Sequence, residues 1–367
     1  MSKIELINIT KTYGNVTALD GLGFETKEGE LFCLLGSSGA GKTTTLRVIS
    51  GIENPDSGDI LMDGNSVIDL IPKERDVAMA FESYALYPQF TVAENLSFPL
   101  EAPARKKELN AQEKQQRVKE VAELLNISDL LDRFPRELSG GQRQRVGLGR
   151  VLVRKPKIYL LDEPIAHLDA KLRHHMRGEL KNIQSELGIT TIYSTPDQLE
   201  ALSMADTIAL INHGKIEQLG TPDELFGTPE NIFVATYVGD PPMNILDTSL
   251  ENGNMVVGCG VEFLFPLTEN NPKAVSKFEG KNNLKVGIRP KDIKLVSETS
   301  KSKHASGRVY KLDILGQTTT VSAVVGSLEL KIKVSTEEAP EQDELIHLEL
   351  DLKKLHFFNP KNGQRIK

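Results

Sequence analysis

The sequence predicts an α/β domain with a helical subdomain, followed by an all-β domain. Strand patterns alternate with helical stretches in the N-terminal part, and the period is helical through residues 88–156. Short strands of alternating polarity dominate after Pro242. The length of 367 residues also favours two or more domains, since one domain usually runs about 100–200 residues. We therefore predict domains at residues 1–238 and 239–367.

Three apolar runs predict buried strands of the N-terminal domain. Leu31–Leu35, Ile158–Leu161 and Ile189–Tyr193 are continuous rather than alternating, as in a sheet covered on both faces. A helix is predicted over Thr43–Ile49, directly after a glycine-rich turn. The helical subdomain is indicated by four apolar residues that share one helix face: Val118, Val121, Leu124 and Leu125.

Strict alternation predicts the C-terminal strands. Leu328–Val334 places four apolar side chains on one face and three charged ones on the other. Ile346, Leu348, Leu350 and Leu352 repeat that pattern. Since the two prolines after Asp240 interrupt any helix, the domain border is expected near Gly239, and a small barrel or sandwich is expected beyond it.

Composition excludes several classes of protein. With 44 basic and 51 acidic residues the net charge is −7, which argues against a general nucleic-acid binder. Two cysteines, Cys33 and Cys259, are too few for a disulfide framework and suggest a reducing compartment. The first residues lack the apolar stretch of a signal peptide, and no apolar run reaches ~18 residues. We therefore expect any contact with a membrane to be made through a partner.

A phosphate-binding loop is predicted at Gly36–Thr43, which fits the pattern G-x-x-x-x-G-K-[ST]. The loop follows a buried strand and precedes a helix, so its backbone N–H groups and the helix N-terminus favour a phosphate. Lys42 is expected to reach the β- and γ-phosphates, and the Thr43 hydroxyl to bind Mg²⁺. The predicted nucleotide-binding residues here are Gly36, Ser37, Ser38, Gly39, Ala40, Gly41, Lys42, Thr43 and Thr44.

Two acids end the second buried strand, and one aromatic residue lies near the N-terminus. Asp162 is placed to hold Mg²⁺, and Glu163 to polarise an attacking water. Two acids at a strand end also suit an exposed turn, but the phosphate loop upstream favours the catalytic interpretation. Tyr13 is a candidate for stacking on an adenine, the alternative being a half-buried aromatic residue.

The stretch Leu138–Arg145, LSGGQRQR, resembles the signature of ABC ATPases. The resemblance implies that this helix N-terminus contacts the γ-phosphate of a nucleotide bound by the opposite subunit, so that two domains sandwich ATP. It implies ATP and Mg²⁺ as cofactors and a second ATP-binding subunit as a partner. The residues assigned to the partner's ATP are Ser139, Gly140, Gly141 and Gln142.

The resemblance extends along essentially the whole chain. Phe81–Val92 looks like the Q-loop region that contacts the transmembrane permease subunits of carbohydrate importers. Gly220–Pro222 and Pro241–Asn244 look like the link to the C-terminal domain of that subclass, and Val286–Pro290 and Leu315-Gly316 resemble its OB-like repeats.

The chain is similar to the maltose, glycerol-phosphate and trehalose type of ATP-binding subunit. This implies a peripheral position on the cytoplasmic face of the cell membrane, with an external substrate-binding protein and no nucleic-acid partner. Sugars, polyols or glycerol derivatives are the implied substrates, with polyamines or oxyanions as the alternative.

Three positions depart from the family pattern. Glu82 replaces the Q-loop glutamine, and we keep it as a candidate catalytic residue and metal ligand because a carboxylate is a hard oxygen donor. Pro196 replaces the switch histidine and offers neither a side-chain donor nor an N–H. The D-loop, Ile165–Asp169, lacks the usual small polar pair. For His167 within it, a role at a dimer interface is favoured over that of a substitute switch histidine.

These departures predict that the chain binds Mg-ATP but turns it over slowly. We expect it to pair with a second, complete ATP-binding subunit, with a homodimer as the alternative. Two other classes remain open: a soluble ABC ATPase of DNA repair or translation, and a non-catalytic subunit that uses ATP as a clamp. The C-terminal domain is expected to serve substrate sensing, protein docking or dimerisation.

Overall fold

The computed structural model describes residues 2–81, 86–102, 109–166, 168–251, 254–257, 261–266, 283–300 and 305–366. Glu82, His167 and Cys259, which the sequence singled out, lie outside the described residues. The chain divides into two compact units, Met1–Pro222 and Asp223–Lys367. The domain border predicted at Gly239 lies inside the second unit. Among the described helices, none is long and apolar enough to cross a membrane.

The first unit contains helices and strands in alternation. In chain order these are β1 (Ile4–Tyr13), β2 (Val16–Glu25), β3 (Leu31–Leu35), α1 (Lys42–Ser50), β4 (Ser57–Met62), β5 (Asn65–Ser66), β6 (Val77–Ala80), α2 (Val92–Ser97), α3 (Ala111–Leu124), α4 (Gly140–Leu152), β7 (Ile158–Asp162), α5 (Ala170–Leu187), β8 (Thr190–Thr195), α6 (Gln198–Met204), β9 (Thr207–Asn212) and β10 (Lys215–Gly220). Short 3-10 turns lie at Pro72–Glu74, Phe98–Glu101, Ser128–Leu130 and Pro135–Glu137.

Two sheets form the scaffold of the first unit. Six strands make a sheet in the order β10-β9-β3-β8-β7-β6, parallel except for β10. The other sheet is antiparallel, in the order β2-β1-β4-β5. All residues of β3, β7 and β8 are buried, which confirms the strands predicted from the continuous apolar runs. Because β3, β8 and β7 are neighbours, their carboxyl ends meet at one edge of the sheet.

The region predicted to be helical, residues 88–156, contains α2, α3 and α4 and no strand within its described parts. Asn110 starts α3 with a capping box, in which its side chain and that of Glu113 each bond the other residue's backbone. Of the predicted apolar face, three residues are buried and Leu124 is half-buried. The face therefore packs inward, as its spacing indicated.

The second unit is built from strands after two short helices. In order these are α7 (Pro222–Gly227), which begins at the last residue of the first unit, α8 (Ile232–Tyr237), β11 (Asn244–Glu251), β12 (Asn254–Val257), β13 (Val261–Pro266), β14 (Asn283–Ile288), β15 (Ile293–Val296), β16 (Ala305–Leu315), β17 (Thr318–Val325), β18 (Leu328–Ser335), β19 (Leu345–Leu350) and β20 (His356–Phe358). Further 3-10 turns lie at Pro290–Asp292, Thr336–Glu338 and Leu352–Lys354.

Two antiparallel five-stranded sheets enclose the core of the second unit. Their orders are β13-β12-β11-β14-β20 and β15-β19-β16-β17-β18, which confirms the all-β class of the C-terminal part. In β18, Leu330 and Ile332 are buried while Glu329 and Lys333 are exposed, as the alternation predicted. The expectation that Leu352 continues the preceding strand is wrong. β19 ends at Leu350, because the Asp351 side chain accepts a hydrogen bond from Lys353 N and starts a 3-10 turn.

A buried arginine ties α7 and α8 to these sheets. Arg289 is 2% exposed and donates to the carbonyl oxygens of Phe226 at 2.7 Å, of Ala235 at 3.1 Å and of Val238. Its guanidinium lies 4.2 Å from the centre of the Phe226 ring. Burial lowers the pKa of Arg289 to about 10, so the group stays charged at neutral pH. This side chain therefore places the two helices within the second unit.

Candidate active site

The phosphate loop lies between β3 and α1, where the sequence placed it. Gly41 precedes α1 with φ +115°, and a Cβ there would meet the oxygen of Ala18 at 2.7 Å. A Cβ on Gly36 would approach the carbonyl oxygen of Ile211 to 2.4 Å. Gly41 therefore requires glycine for its backbone angle and for space, and Gly36 requires it for space alone. Ser37, Ser38 and Gly39 form the exposed rim of the loop, whereas Gly36, Ala40 and Gly41 are buried and Thr44 is half-buried.

Lys42 is held at the centre of this loop. It is only 4% exposed, and its Nζ donates to the carbonyl oxygens of Gly36 at 2.9 Å and Ser37 at 3.1 Å. The same ammonium lies 3.4 Å from Glu163 Oε1. Because three oxygens surround it, the charge of Lys42 is fixed beside the rim where a phosphate would bind.

The two acids at the end of β7 have different surroundings. Asp162 is 2% exposed, and its Oδ1 accepts from Thr43 Oγ1 at 3.1 Å and from Ser194 Oγ at 2.7 Å. Glu163 is half-buried and has a left-handed backbone, with φ +46°. Its N–H donates to the carbonyl and to the hydroxyl of Ser194. The structure therefore brings Lys42, Thr43, Asp162 and Glu163 together.

The hydroxyl of Thr43 and the carboxylate of Asp162 suit a magnesium ion, which prefers oxygen ligands. The described residues contain no group of three or more histidines, cysteines or acids that could hold a metal. A magnesium ion here would thus depend on phosphate oxygens and water for its other ligands. The third predicted ligand, Glu82, lies outside the described residues.

Ser194 is a site residue that the sequence reasoning missed. It pairs with Asp162 in the parallel register of β7 and β8, so its hydroxyl faces that carboxylate. In the sequence, Ser194 is marked only by its position in the stretch Tyr193–Gln198, where Pro196 was the residue considered. A serine inside an apolar strand can be present for many structural reasons. Only the pairing of β8 with β7 shows that Ser194 lies beside Asp162.

The switch segment, Tyr193–Gln198, lies beside the first residue of the phosphate loop. Gly36 N donates to the carbonyl oxygen of Thr195 at 3.4 Å, and the next residue, Pro196, is exposed at the end of β8. Proline has no side-chain donor, so the segment cannot offer the hydrogen bond that a histidine would make there.

The buried carboxylate of Glu200 anchors this segment through two hydrogen bonds. Glu200 Oε2 accepts from Thr195 Oγ1 at 2.7 Å and from Tyr193 OH at 2.8 Å. Thr195 Oγ1 in turn accepts from Asp197 N at 3.0 Å. Because Glu200 is 3% exposed, desolvation raises its pKa, although both hydroxyl bonds oppose the rise. Sequence reasoning missed this cluster, which links β8 and α6.

Tyr13 lies at the end of β1, next to the tight turn into β2. Its ring is 42% exposed, and Lys11 Nζ lies 5.3 Å from the ring centre. An accessible aromatic face with a cation beside it is suited to stacking on a base. The adenine contact of Tyr13 stays a prediction.

The signature residues form the exposed N-terminus of α4. Ser139 Oγ accepts from Gln142 N at 3.3 Å, while Ser139 N donates to Gln142 Oε1 at 2.8 Å, which is a capping box. Gly140 is exposed and Gly141 half-buried, and a Cβ on Gly140 would meet nothing within 4 Å. None of the hydrogen bonds described for Ser139–Gln142 reaches Gly36–Thr43. The N-termini of α1 and α4 are therefore separate, and of these two only that of α1 is described in contact with carboxylates from another element.

A cavity of about 400 Å³ is lined by residues of β6, of the Q-loop region and of α4. Arg150 stacks on the Tyr87 ring at 4.6 Å within it, and Tyr87 also packs against Phe98 with ring centres 4.6 Å apart. Phe81 and Leu86 are among the other apolar residues that line it. The described lining of this cavity is largely apolar and partly aromatic, with Gln144, Arg150 and Arg154 as its polar residues.

The family model and the relatives found by comparison with known proteins agree with one another. A family model described as ABC transporter matches residues 19–166. The trehalose/maltose import ATP-binding protein MalK of Thermococcus litoralis is 42% identical over the whole of both chains. The sn-glycerol-3-phosphate import ATP-binding protein UgpC of Chromobacterium violaceum is 38% identical over all of this chain and 96% of the relative.

A solved structure is also similar. It is a dimeric, post-hydrolysis state of the ATP-binding cassette MJ0796 bound to ADP and Pi, with 30% identity and a TM-score of 0.55. The match covers 60% of this chain and 98% of the solved chain.

Proposed function

This chain belongs to the ATP-binding subunits of ABC importers and is an ATPase of that type, and we propose that it energises the import of sugars, polyols or glycerol derivatives. The observation that carries the proposal is the joint placement of Lys42, Thr43, Asp162 and Glu163 at one edge of the sheet. The relatives named for trehalose and maltose and for sn-glycerol-3-phosphate support the substrate class.

Each residue at this edge has a role that follows from its contacts. Lys42 and the loop N–H groups hold the β- and γ-phosphates of ATP, and Thr43 with Asp162 holds the accompanying Mg²⁺. When bound, that ion neutralises charge between the two phosphates. Glu163 orients the attacking water and takes its proton, for which its carboxylate must turn from Lys42 toward the water. Ser194 keeps the Asp162 carboxylate in place.

This chain's own site is proposed to hydrolyse ATP slowly. Pro196 lies where Thr195 touches the phosphate loop, and its ring cannot donate to a γ-phosphate. Losing one transition-state donor costs about 10²–10³-fold in rate. Glu82 stands where the family has glutamine, and in the position that the resemblance implies its negative charge would oppose that of the phosphates.

A second ATP-binding subunit is proposed to complete both sites. Ser139 and Gly140 at the start of α4 are exposed, and the hydrogen bonds described for the signature residues stay within their own helix end, so this surface is open to a partner's nucleotide. With a complete partner, the site that uses this chain's signature would turn over at a normal rate. The solved relative is a dimeric state of such a domain, which supports this pairing.

The permease is proposed to insert a segment into the cavity beside Tyr87 and Phe98. An apolar wall with a stacked arginine suits the end of an amphipathic helix. The chain would then lie peripherally on the cytoplasmic face of the membrane. An external substrate-binding protein would deliver the substrate to the permease.

Turnover of the purified chain tests the slow-site proposal. We expect weak ATPase activity in the chain alone and a rise of about 10-fold or more in Glu82→Gln/Pro196→His, because a donor is restored and a charge removed. Glu163→Gln in the same background is the control and should abolish the gain. Brisk turnover of the unmodified homodimer, or no gain in the double variant, would contradict the proposal.

A further inference from the structure

Arg173 connects two segments of the active site that are far apart in sequence. It lies in the first turn of α5, with 32% of its side chain exposed. Its Nη2 donates to the carbonyl oxygen of Ala166 at 2.9 Å and to that of Leu168 at 3.1 Å. Its Nη1 lies 3.9 Å from Asp197 Oδ2. One guanidinium therefore touches both the loop after Glu163 and the segment after Pro196.

The first of these segments begins at the catalytic carboxylate. Glu163 has a left-handed backbone, and the chain must turn at once into α5 at Asp169. Gln144 on α4, which is 1% exposed, donates to the carbonyl oxygen of Pro164 at 2.6 Å. The loop is thus held from α4 at its start and by Arg173 from α5 further along. Its turn keeps Glu163 aimed at the phosphate loop.

The second segment is fixed on its own side. Asp197 Oδ1 accepts from Leu199 N at 2.8 Å and caps α6, while Asp197 N donates to Thr195 Oγ1. Thr195 is bound in turn to the buried Glu200. Asp197 therefore offers Arg173 a carboxylate that is held by the α6 cap and, through the backbone bond to Thr195, connected to the buried Glu200.

We propose that Arg173 is a positioning residue for ATP hydrolysis, which sets the distance between the Glu163 loop and the switch segment. A guanidinium suits this role because its planar fork donates to two carbonyls and a carboxylate at once. A lysine is a single point charge and cannot hold all three. Arg173 touches no predicted nucleotide-binding residue, so its effect is exerted through Glu163.

The proposal depends on the ATPase activity of the family and on neither the slow site nor the heterodimer. Both the unmodified chain and the Glu82→Gln/Pro196→His chain are therefore suitable backgrounds, and each variant is compared with its own parent. If the double substitution fails to raise turnover, the slow-site proposal fails, while the ratio between an Arg173 variant and its parent still decides this one.

The experiment compares Arg173→Ala and Arg173→Lys with Arg177→Ala in the full chain. Arg177 is half-buried one turn further along α5, and the described contacts give it no hydrogen bond to the loop. We expect kcat to fall about 10- to 100-fold in Arg173→Ala, with the KM for ATP and the Tm little changed, since a displacement of about 1 Å can cost that much. Arg173→Lys should lose less, and Arg177→Ala should match its parent.

A further arm tests the link to Asp197. Asp197→Asn keeps an oxygen for the α6 cap but removes the charge that faces Arg173. Combined with Arg173→Ala, it should lower kcat no further than Arg173→Ala alone, because both act on one contact. Full additivity, an unchanged kcat in Arg173→Ala, or a fall in kcat that follows a fall in Tm across all variants would overturn the proposal.

Discussion

The N-termini of α1 and α4 both point backbone N–H groups outward, but their surroundings differ. At α1, Gly36 and Gly41 press against the backbones of Ile211 and Ala18, and Lys42 is 4% exposed among oxygens. At α4, a Cβ on Gly140 would meet open space, and the exposed Ser139 has its capping partner, Gln142, three residues further along the same helix end.

The two helix ends differ in how many side chains from other elements reach them. Side chains from β7 and β8 reach the α1 terminus, where Asp162 and Ser194 accompany Thr43. The α4 terminus is formed by local bonds alone among the described contacts, and it leaves a polar surface open. One helix end therefore has charged side chains from neighbouring strands around it, whereas the other is open, which is what the proposed pairing with a second subunit requires.

Removing the central charge of the α1 terminus should have the largest effect. In Lys42→Ala, Glu163 and two carbonyls lose their common partner, and the phosphates lose a cation. We expect turnover to fall about 10²–10³-fold and nucleotide binding to weaken. Steady-state ATPase assays and nucleotide titration measure this, with the exposed Lys27→Ala as control. Equal activity in both variants would mean that the α1 terminus is not the catalytic one.

A matched pair of glycine substitutions compares the space at the two ends. Gly36→Ala places a Cβ 2.4 Å from the Ile211 oxygen, so the loop must shift, at a cost of about 1–3 kcal/mol in the free energy of unfolding. Gly140→Ala meets nothing within 4 Å, and the loss of backbone freedom in the unfolded chain should leave stability unchanged or slightly raised. Denaturant unfolding measures both. A Gly140→Ala chain as unstable as Gly36→Ala would contradict the comparison.

The smallest effect is expected at Ser139. Ser139→Ala removes the cap of α4 and should cost about 1 kcal/mol in stability, while the isolated chain binds ATP as before. Ser139→Asn keeps a capping oxygen and should restore the stability. In the assembled transporter, both variants should hydrolyse ATP more slowly, because the proposed pairing turns this hydroxyl toward the partner's nucleotide. Recovery of turnover in Ser139→Asn would show that the hydroxyl acts only as a cap.

Much of the fold could be predicted because it depends on neighbours in the chain. The continuous apolar runs at β3, β7 and β8 reflect burial on both faces, and the alternation in β18 reflects burial on one. The strand end at Leu350 was missed because apolar spacing continued to Leu352, while an aspartate between them turned the chain. A short polar bond thus prevailed over the hydrophobic pattern.

The supporting residues of the site could not be predicted. Ser194, Glu200 and Arg173 each lie in an ordinary strand or helix sequence. The bond of Ser194 to Asp162 and the ion pair of Arg173 with Asp197 join segments that are distant along the chain, whereas Glu200 bonds Thr195 within the same stretch. Those contacts exist because β8 lies between β3 and β7, so the ends of three strands meet. No pattern along the sequence specifies that order.

By itself the sequence determined the two helix ends, since glycine spacing, a lysine at the first helical position and a serine with its glutamine act within a few residues. Only the tertiary structure decided which side chains surround each end. The physical reason is that hydrogen bonds and ion pairs act over about 3–4 Å. Such distances between remote segments are set by the packing of strands and helices.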